Sequence, residues 1–353
     1  MQPLIINHVD FSPFKIPFLH PFTFAGNTIQ ERKGHYLTIK TVDGQSAQGE
    51  VAPLEGLSPE TPRRVERDLK EIRTFLMELN VPRDKEELLN LLRHEPQLLY
   101  VCSSVRFAVE SAILMLASKA AGQSLAEFLG GQLKDVQSAV LLQGSHQDVI
   151  ADFKRFAKQG VKVFKLKVGD RNIALDVKKI QDIRVLLDQG SYLRLDGNRV
   201  WSLKEACIFA QLAGNLNIDF IEEPIFDVTQ LETFYQQSRM RIALDETLSV
   251  VRSGIRAPGR CSLPLSQQEG VVAYILKPMI LGLISSLEWI EEAKLLKRKA
   301  IISSAFESPV GFKVLANLAC FSGQIAGLGT ERWFNNPNPI LGENGIIKKE
   351  CLI

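Results

Sequence analysis

From residue 136 onward, short apolar runs alternate with segments whose apolar positions recur every three to four residues. Short runs bounded by glycine or polar residues read as buried strands, and the longer periodic segments read as amphipathic helices. Strands are expected at 136–142, 161–168, 192–196, 218–222, 242–245, 271–277, 300–304 and 324–328. Helices are expected at 145–159, closed by Gly160, at 173–187, after the capping-box spacing of Ser202-Leu203-Lys204-Glu205, and at 228–236. Eight strands is the count at which a parallel (β/α) barrel closes, so the pattern favours a barrel over an open doubly wound sheet, which alternates in the same way. The stretch 251–270, with two prolines and three arginines, shows no helical period.

The first 53 residues have a different texture. Leu4-Ile5-Ile6, residues 35–42 and residues 45–51 read as strands, the last two joined by Asp43-Gly44 as a tight type I′ turn. Between them, residues 20–27 carry aromatics and a glycine and read as a loop, with Phe22 and Phe24 as candidate lid residues. Ser58-Pro59 supplies an N-cap and a first-turn proline for a helix whose buried stripe is Val65, Leu69, Ile72 and Leu76. A second helix is expected from Ser104 through Val105, Ala108, Ala112 and Leu116 toward Gly122, and Ser124 to Glu127 has capping-box spacing ahead of Gly130-Gly131. Residues 1–125 therefore read as a small α+β domain and 126–329 as the barrel.

Composition narrows the partners more than the fold. The chain has 353 residues, 45% hydrophobic and 23% charged, enough for one large core and a smaller one. A net charge of +2 without a run of like charges gives no footprint for nucleic acid or a membrane surface. Five cysteines stand far apart, so neither a disulfide framework nor a zinc site is expected. With no basic-then-apolar leader and no long apolar run, the expectation is a cytoplasmic protein.

Candidate chemistry lies at the strand ends. Lys165 and Lys167 close the second barrel strand, Asp196 the third, Glu222 the fourth, Asp245 the fifth and Lys277 the sixth. Each alone reads as a turn or cap residue, but in a barrel these ends share one mouth. Three carboxylates crowded in a low-dielectric mouth repel one another unless a cation lies between them, and oxygen-only ligands suit a hard divalent ion such as Mg²⁺, or Mn²⁺. Such an ion leaves coordination sites for a small-molecule carboxylate substrate. A proton next to that carboxylate needs a neutral base, and a lysine crowded by a second ammonium and a metal loses its proton more readily. Lys167 is therefore assigned as base, Lys165 as its electrostatic neighbour and a contact for the substrate carboxylate, and Lys277 as a cation across the mouth.

Lys165-x-Lys167, Asp196-Gly197-Asn198, Ile221-Glu222-Glu223-Pro224, Asp245-Glu246 and Lys277-Pro278 resemble the muconate-lactonizing subgroup of the enolase superfamily. The resemblance implies a (β/α)7β barrel capped by an N-terminal α+β domain, to which 330–353 returns, with Asp196, Glu222 and Asp245 as Mg²⁺ ligands. Asn198, Glu223 and Glu246 would stand in or behind the same site. Residues 49–58, 303–311 and 31–34 resemble o-succinylbenzoate synthases more specifically, which makes Arg32, Ser303, Ser304, Glu307 and Ser308 candidates for substrate contact or support. Those enzymes dehydrate a succinyl hydroxycyclohexadiene carboxylate in menaquinone biosynthesis, with one lysine removing the proton and returning it to the leaving hydroxyl. A racemase of N-succinylamino acids or an epimerase of dipeptides would use Lys167 and Lys277 from opposite faces, and a barrel that only binds its ligand is a third reading. Dipeptide epimerases of the superfamily carry an acid pair on the last strand, where this chain has Gly327-Leu328-Gly329-Thr330.

Overall fold

In a computed structural model, residues 2–24, 27–170, 172–215, 217–248, 268–335, 340–342 and 344–353 are described. Strand β1 (Leu4–Phe24) pairs antiparallel with β2 (Asn27–Thr41), and β2 with β3 (Ser46–Val51). With β4 (Asn80–Val81) they form a sheet ordered β3-β2-β1-β4. The loop expected at 20–27 is instead largely strand: β1 runs through Phe24 and β2 resumes at Asn27, because the long hairpin keeps pairing to its tip. The side chains of Phe22 and Phe24, and the tip at 25–26, lie outside the described residues. The Asp43-Gly44 turn also differs. Only Gly44 has a positive φ, +83°, and Gly44 N–H bonds to Thr41 O while Thr41 N–H bonds to Gln45 O, so a type I turn is followed by a left-handed glycine.

Helices α1 (Pro62–Glu78), α2 (Lys85–His94), α3 (Pro96–Tyr100), α4 (Ser103–Ala120) and α5 (Leu125–Phe128) complete this domain. The cap of α1 is Thr61, accepting from Arg64 N–H with Pro62 behind it, and not Ser58, whose hydroxyl accepts from Leu54 N–H. Helix α4 lies so close to β3 that a Cβ on Gly49 would stand 1.9 Å from Ala108 O.

The barrel begins with a correction. Residues 136–142 form two strands, β5 (Val136–Gln137) and β6 (Val140–Leu142), because β5 turns away to pair antiparallel with a C-terminal strand. Then follow α6 (His146–Lys158), β7 (Val163–Lys167), α7 (Ile173–Leu186), β8 (Tyr192–Asp196), α8 (Leu203–Ala213) and β9 (Ile218–Glu222). A 3₁₀ turn leads into α9 (Leu231–Ser238), and β10 (Ile242–Leu244) precedes the segment 249–267, which lies outside the described residues and takes most of the aperiodic stretch with it. Beyond it come β11 (Val271–Leu276), α10 (Pro278–Leu281), α11 (Leu283–Leu295), β12 (Lys299–Ile302), α12 (Pro309–Ser322) and β13 (Ile346–Ile347), the partner of β5.

Strands β6 to β12 form a parallel sheet in sequence order. The eighth strand expected at 324–328 is reduced to two parallel bridges, Ser138 to Ala326 and Ser303 to Gly327. Ala326 N–H bonds to Gln137 O and Gly327 N–H to Ile302 O, so this short stretch closes the ring between β12 and the start of β6. Inside, Phe220, Ala243, Ala273, Ile275 and Ile301 pack into one apolar cluster. Beside it Asp219 accepts Lys299 Nζ at 2.5 Å and Arg194 Nε at 3.4 Å. The C-terminal segment touches both halves: Phe334 bridges to Phe18 of β1 and stacks on it, while Ile353 O accepts from Lys313 on α12. Among the described residues no helix is long and apolar enough to cross a membrane, and Cys102, Cys207, Cys320 and Cys351 are free thiols.

Candidate active site

Strand alternation sends Lys165 and Lys167 out of β7 on one face while Phe164 and Leu166 are buried on the other, Phe164 against Phe153 of α6. Register then assembles the site. Lys167 lies beside Asp196 on β8, Asp196 beside Glu222 on β9, and Glu222 beside Ala243 on β10, two residues before Asp245. Asp196, Glu222 and Asp245 are all buried. Lys165 Nζ stands 2.6 Å from Glu222 Oε2 and 2.8 Å from Asp196 Oδ2, and Lys277, one residue past β11, pairs with Asp245. Lys165, expected also to contact substrate, is thus engaged by two carboxylates.

The two neighbouring lysines respond oppositely. Burial lowers the Lys167 pKa below the usual lysine value; Asp196 opposes this, and the ammonium groups of Lys165 and Lys277 add to it. Burial would lower Lys165 and Lys277 too, but Asp196 and Glu222 on the first, and Asp245 and Glu246 on the second, drive both above their ordinary value. Burial pushes Glu222 up to about 8 despite Lys165, with Asp196 and Asp245 raising it further. Glu246 rises to about 7 by burial and by its neighbour Asp245. Among the described residues no three acid, histidine or cysteine side chains converge on one point in this conformation, since the ammonium groups hold them. The donor set is nevertheless one that fits a hard cation: oxygen only, buried, on three neighbouring strands, and under-compensated at Glu222.

Backbone strain supports this rim. Asn198, Arg199 and Glu223 have φ of 44°, 57° and 40°, in the left-handed region that such residues seldom occupy. The gain is in hydrogen bonds. Glu223 Oε1 accepts Asp245 N–H at 2.8 Å and Thr247 N–H at 2.9 Å, and its Oε2 accepts Thr247 Oγ1 and Arg199 Nε. Asn198 N–H bonds to Asp196 Oδ1 at 3.3 Å.

A cavity at this mouth is lined by Lys165, Lys167, Asp196, Asn198, Asp245, Glu246 and Lys277 on its charged side and by Ser303 and Ser304 across from them. Glu222, Glu223, Glu307, Ser308 and Arg32 stand outside the lining. Arg32, expected as a substrate contact or support, is 2% exposed, and its guanidinium donates to Pro53 O at 2.6 Å, Phe306 O at 3.0 Å and Ala52 O, tying the two domains together behind the wall. Ser308 donates to Glu50 of β3. The sequence reading missed Gln143, Thr330, Leu54, Leu57, Phe306 and Trp333, all of which line the cavity. Gln143 directly follows β6 and obeys the same strand-end rule as the others. Leu54, Leu57 and Trp333 have no such signal, since they reach the mouth from the capping domain and the C-terminal segment.

Residues 12–130 match the N-terminal domain family of mandelate racemase and muconate lactonizing enzyme, and residues 148–256 the enolase C-terminal domain-like family. The chain is 31% identical over 324 residues to the o-succinylbenzoate synthase of Aliivibrio fischeri, covering 90% of this chain and 88% of that one. It is 25% identical over 326 residues to the L-Ala-D/L-Glu epimerase of Bacillus subtilis, covering 91% and 86%. The dipeptide epimerase of Cytophaga hutchinsonii, solved with Mg and the dipeptide D-Ala-L-Val, superposes with a TM-score of 0.81 at 23% identity over 98% of this chain and 93% of that one. The capped barrel, the acids and lysines at its mouth and these matches agree: the chain belongs to the enolase superfamily, in its mandelate racemase and muconate lactonizing enzyme family.

Proposed function

We propose that the protein is an Mg²⁺-dependent o-succinylbenzoate synthase acting in menaquinone biosynthesis. The observation that carries this is Lys167, a half-buried lysine with a lowered pKa, at a mouth with three buried carboxylates and with Lys277 across from it. A divalent cation held by Asp196, Glu222 and Asp245, Mg²⁺ or Mn²⁺, would supply positive charge to the substrate carboxylate as its neighbouring carbon loses a proton. Lys167, in its unprotonated form, takes the ring proton next to that carboxylate. The C–H electron pair moves into the carboxylate, then returns to form the ring double bond as the hydroxyl on the adjacent carbon leaves. Lys167 returns the proton to that hydroxyl on the same face, so one molecule of water departs and the ring becomes aromatic. Lys277 steadies the intermediate from the other side, and Lys165 compensates Asp196 and Glu222.

The second reading, an epimerase, rests on the same two lysines. Against it stands the rim at the closing bridges, where Gly327, Gly329 and Thr330 line the cavity without a carboxylate to take a substrate ammonium. Incubation with Mg²⁺ in D₂O separates the readings. Loss of the diene absorbance with formation of o-succinylbenzoate is expected; inversion with deuterium uptake on N-succinylamino acids or dipeptides, and no dehydration, would overturn the proposal, and no reaction with any of them would leave only ligand binding.

A further inference from the structure

Across the barrel from β9, a line of three side chains runs away from the cavity and takes no part in the proton transfer above. Thr330 and Ser304 line the cavity. Thr330 Oγ1 lies 2.8 Å from Ser304 Oγ, which lies 2.6 Å from Oε2 of the buried Glu307. A serine hydroxyl has one proton and two lone pairs. One lone pair of Ser304 takes Phe306 N–H at 2.9 Å, leaving one proton and one lone pair for Glu307 and Thr330 together. With Glu307 ionised, Ser304 must donate to it and accept from Thr330, so the Thr330 proton points inward. With Glu307 as the neutral acid, Glu307 donates to Ser304, Ser304 donates to Thr330, and the Thr330 proton is released toward the cavity.

The surroundings favour the neutral acid. Glu307 Oε2 also accepts Ala305 N–H at 2.8 Å, but Oε1 is buried with no hydrogen-bond partner among the described residues, which costs a carboxylate more than it costs the carbonyl of an acid. Two charged groups of the capping sheet, Arg32 and Glu50, act on it. Arg32 of β2 donates to backbone carbonyls only, and the Tyr36 hydroxyl of β2 pairs with Ser308. Glu50 of β3 accepts the N–H groups of Ser308 and Gly311 and the Ser308 hydroxyl at the start of α12. Burial raises Glu50 as well, these donors and the nearby Arg32 pull it only partway back, and both its oxygens have donors, unlike those of Glu307. Glu307 is the acid left over; burial pushes it up to about 7, with Glu50 adding, and the Ser304 hydrogen bond and Arg32 opposing.

We propose that Glu307 is a positioning residue that, as a neutral acid, turns the Thr330 hydroxyl into a hydrogen-bond donor for a carbonyl or carboxylate oxygen that the substrate carries away from its reacting carbon. This rests on the cavity being the substrate site of the reaction proposed above. The probe is o-succinylbenzoate, titrated calorimetrically into the Mg²⁺-loaded full chain on both sides of neutral pH. Wild-type affinity should fall about tenfold as Glu307 ionises, the usual cost of a lost hydrogen bond to an anion. In Glu307→Gln the amide oxygen must keep Ala305 N–H and so takes the Ser304 proton at every pH, which holds affinity at the weaker, alkaline-side level and removes the pH dependence. Thr330→Val should bind about tenfold more weakly on the acid side and lose the Glu307-linked dependence. An identical pH dependence in wild type and Glu307→Gln, or wild-type binding by Thr330→Val, overturns the proposal. The infrared difference between ligand-free wild type and Glu307→Gln below neutral pH should contain a protonated carboxyl band, and its absence overturns the proposal without any ligand. Dehydratase failure with both variants behaving as stated sinks the reaction and leaves the relay standing.

Discussion

Glu223→Ala tests whether the acidic rim is held in place from behind. The carboxylate is fully buried and accepts two backbone N–H groups, Asp245 and Thr247, along with the Thr247 hydroxyl and Arg199. Arg199 is 27% exposed and keeps its bond to Thr247 Oγ1, so water and that hydroxyl absorb its loss. The two N–H groups have no such recourse, and leaving each buried without an acceptor costs about 1–3 kcal/mol, or about 2–6 kcal/mol together. Alanine at φ +40° gains no strain relief to offset this, because any Cβ is disfavoured there. Urea unfolding should therefore show a stability loss of about that size at unchanged slope. Asp245 follows the released segment, so calorimetric Mg²⁺ affinity should fall about 10–100-fold, as it does when the support of a metal ligand is removed. Glu223→Gln should lie between, retaining the oxygen toward Asp245 and Thr247 but turning an N–H toward Arg199. Mg²⁺ affinity equal to wild type in the alanine variant, whatever its stability, would refute the idea that Glu223 positions Asp245.

Lys167→Ala should lower turnover about 10²–10⁴-fold, the usual share of a general base, and should abolish exchange of the substrate proton in D₂O; retained exchange would move the base elsewhere. Lys277→Met removes a positive charge that disfavours protonated Lys167, so the Lys167 pKa rises and the acid limb of kcat/KM shifts to higher pH. A limb that stays put would show that the two ammonium groups are uncoupled. Glu110 of α4 accepts Leu283 N–H at 2.6 Å and Ile284 N–H at 3.1 Å, capping α11 from the other domain, so Glu110→Ala should cost about 1–2 kcal/mol in urea unfolding.

Much of the barrel was legible because its strands are short, apolar and bounded by caps. The capping boxes at Ser145 and Ser202 mark helix starts locally, and Tyr192–Asp196 and Ile218–Glu222 begin and end where the apolar runs do. Elements that depend on a distant partner were not legible. Residues 324–328 look like a strand, yet the pairing is one bridge to each neighbour, Ala326 to Ser138 and Gly327 to Ser303. Residues 20–24 look like a loop because their pairing is with β2, across the hairpin. The charged half of the cavity was readable from strand ends, and its apolar half was not: Leu54, Leu57 and Trp333 reach the mouth through domain packing that leaves no periodic mark.

Register, rather than residue type, separates the two lysines of β7. Both leave the same face of one strand, and either could be the base on alternation alone. Lys165 sits one pleat deeper, level with Arg194 in the β7–β8 register, and its amine reaches two carboxylates, Asp196 and Glu222. That double contact outweighs its burial and fixes its proton. Lys167, level with Asp196 at the rim, is half-buried, but there the ammonium groups of Lys165 and Lys277 work with desolvation instead of against it. A base and its counterweight thus differ by one pleat, and the counterweight exists because Asp196 and Glu222 stand on the next two strands within reach of its amine. The same logic makes the acids and lysines one unit: removing any carboxylate from the rim would release Lys165 or Lys277, raise or lower its neighbours together, and change the proton affinity of Lys167 without touching it.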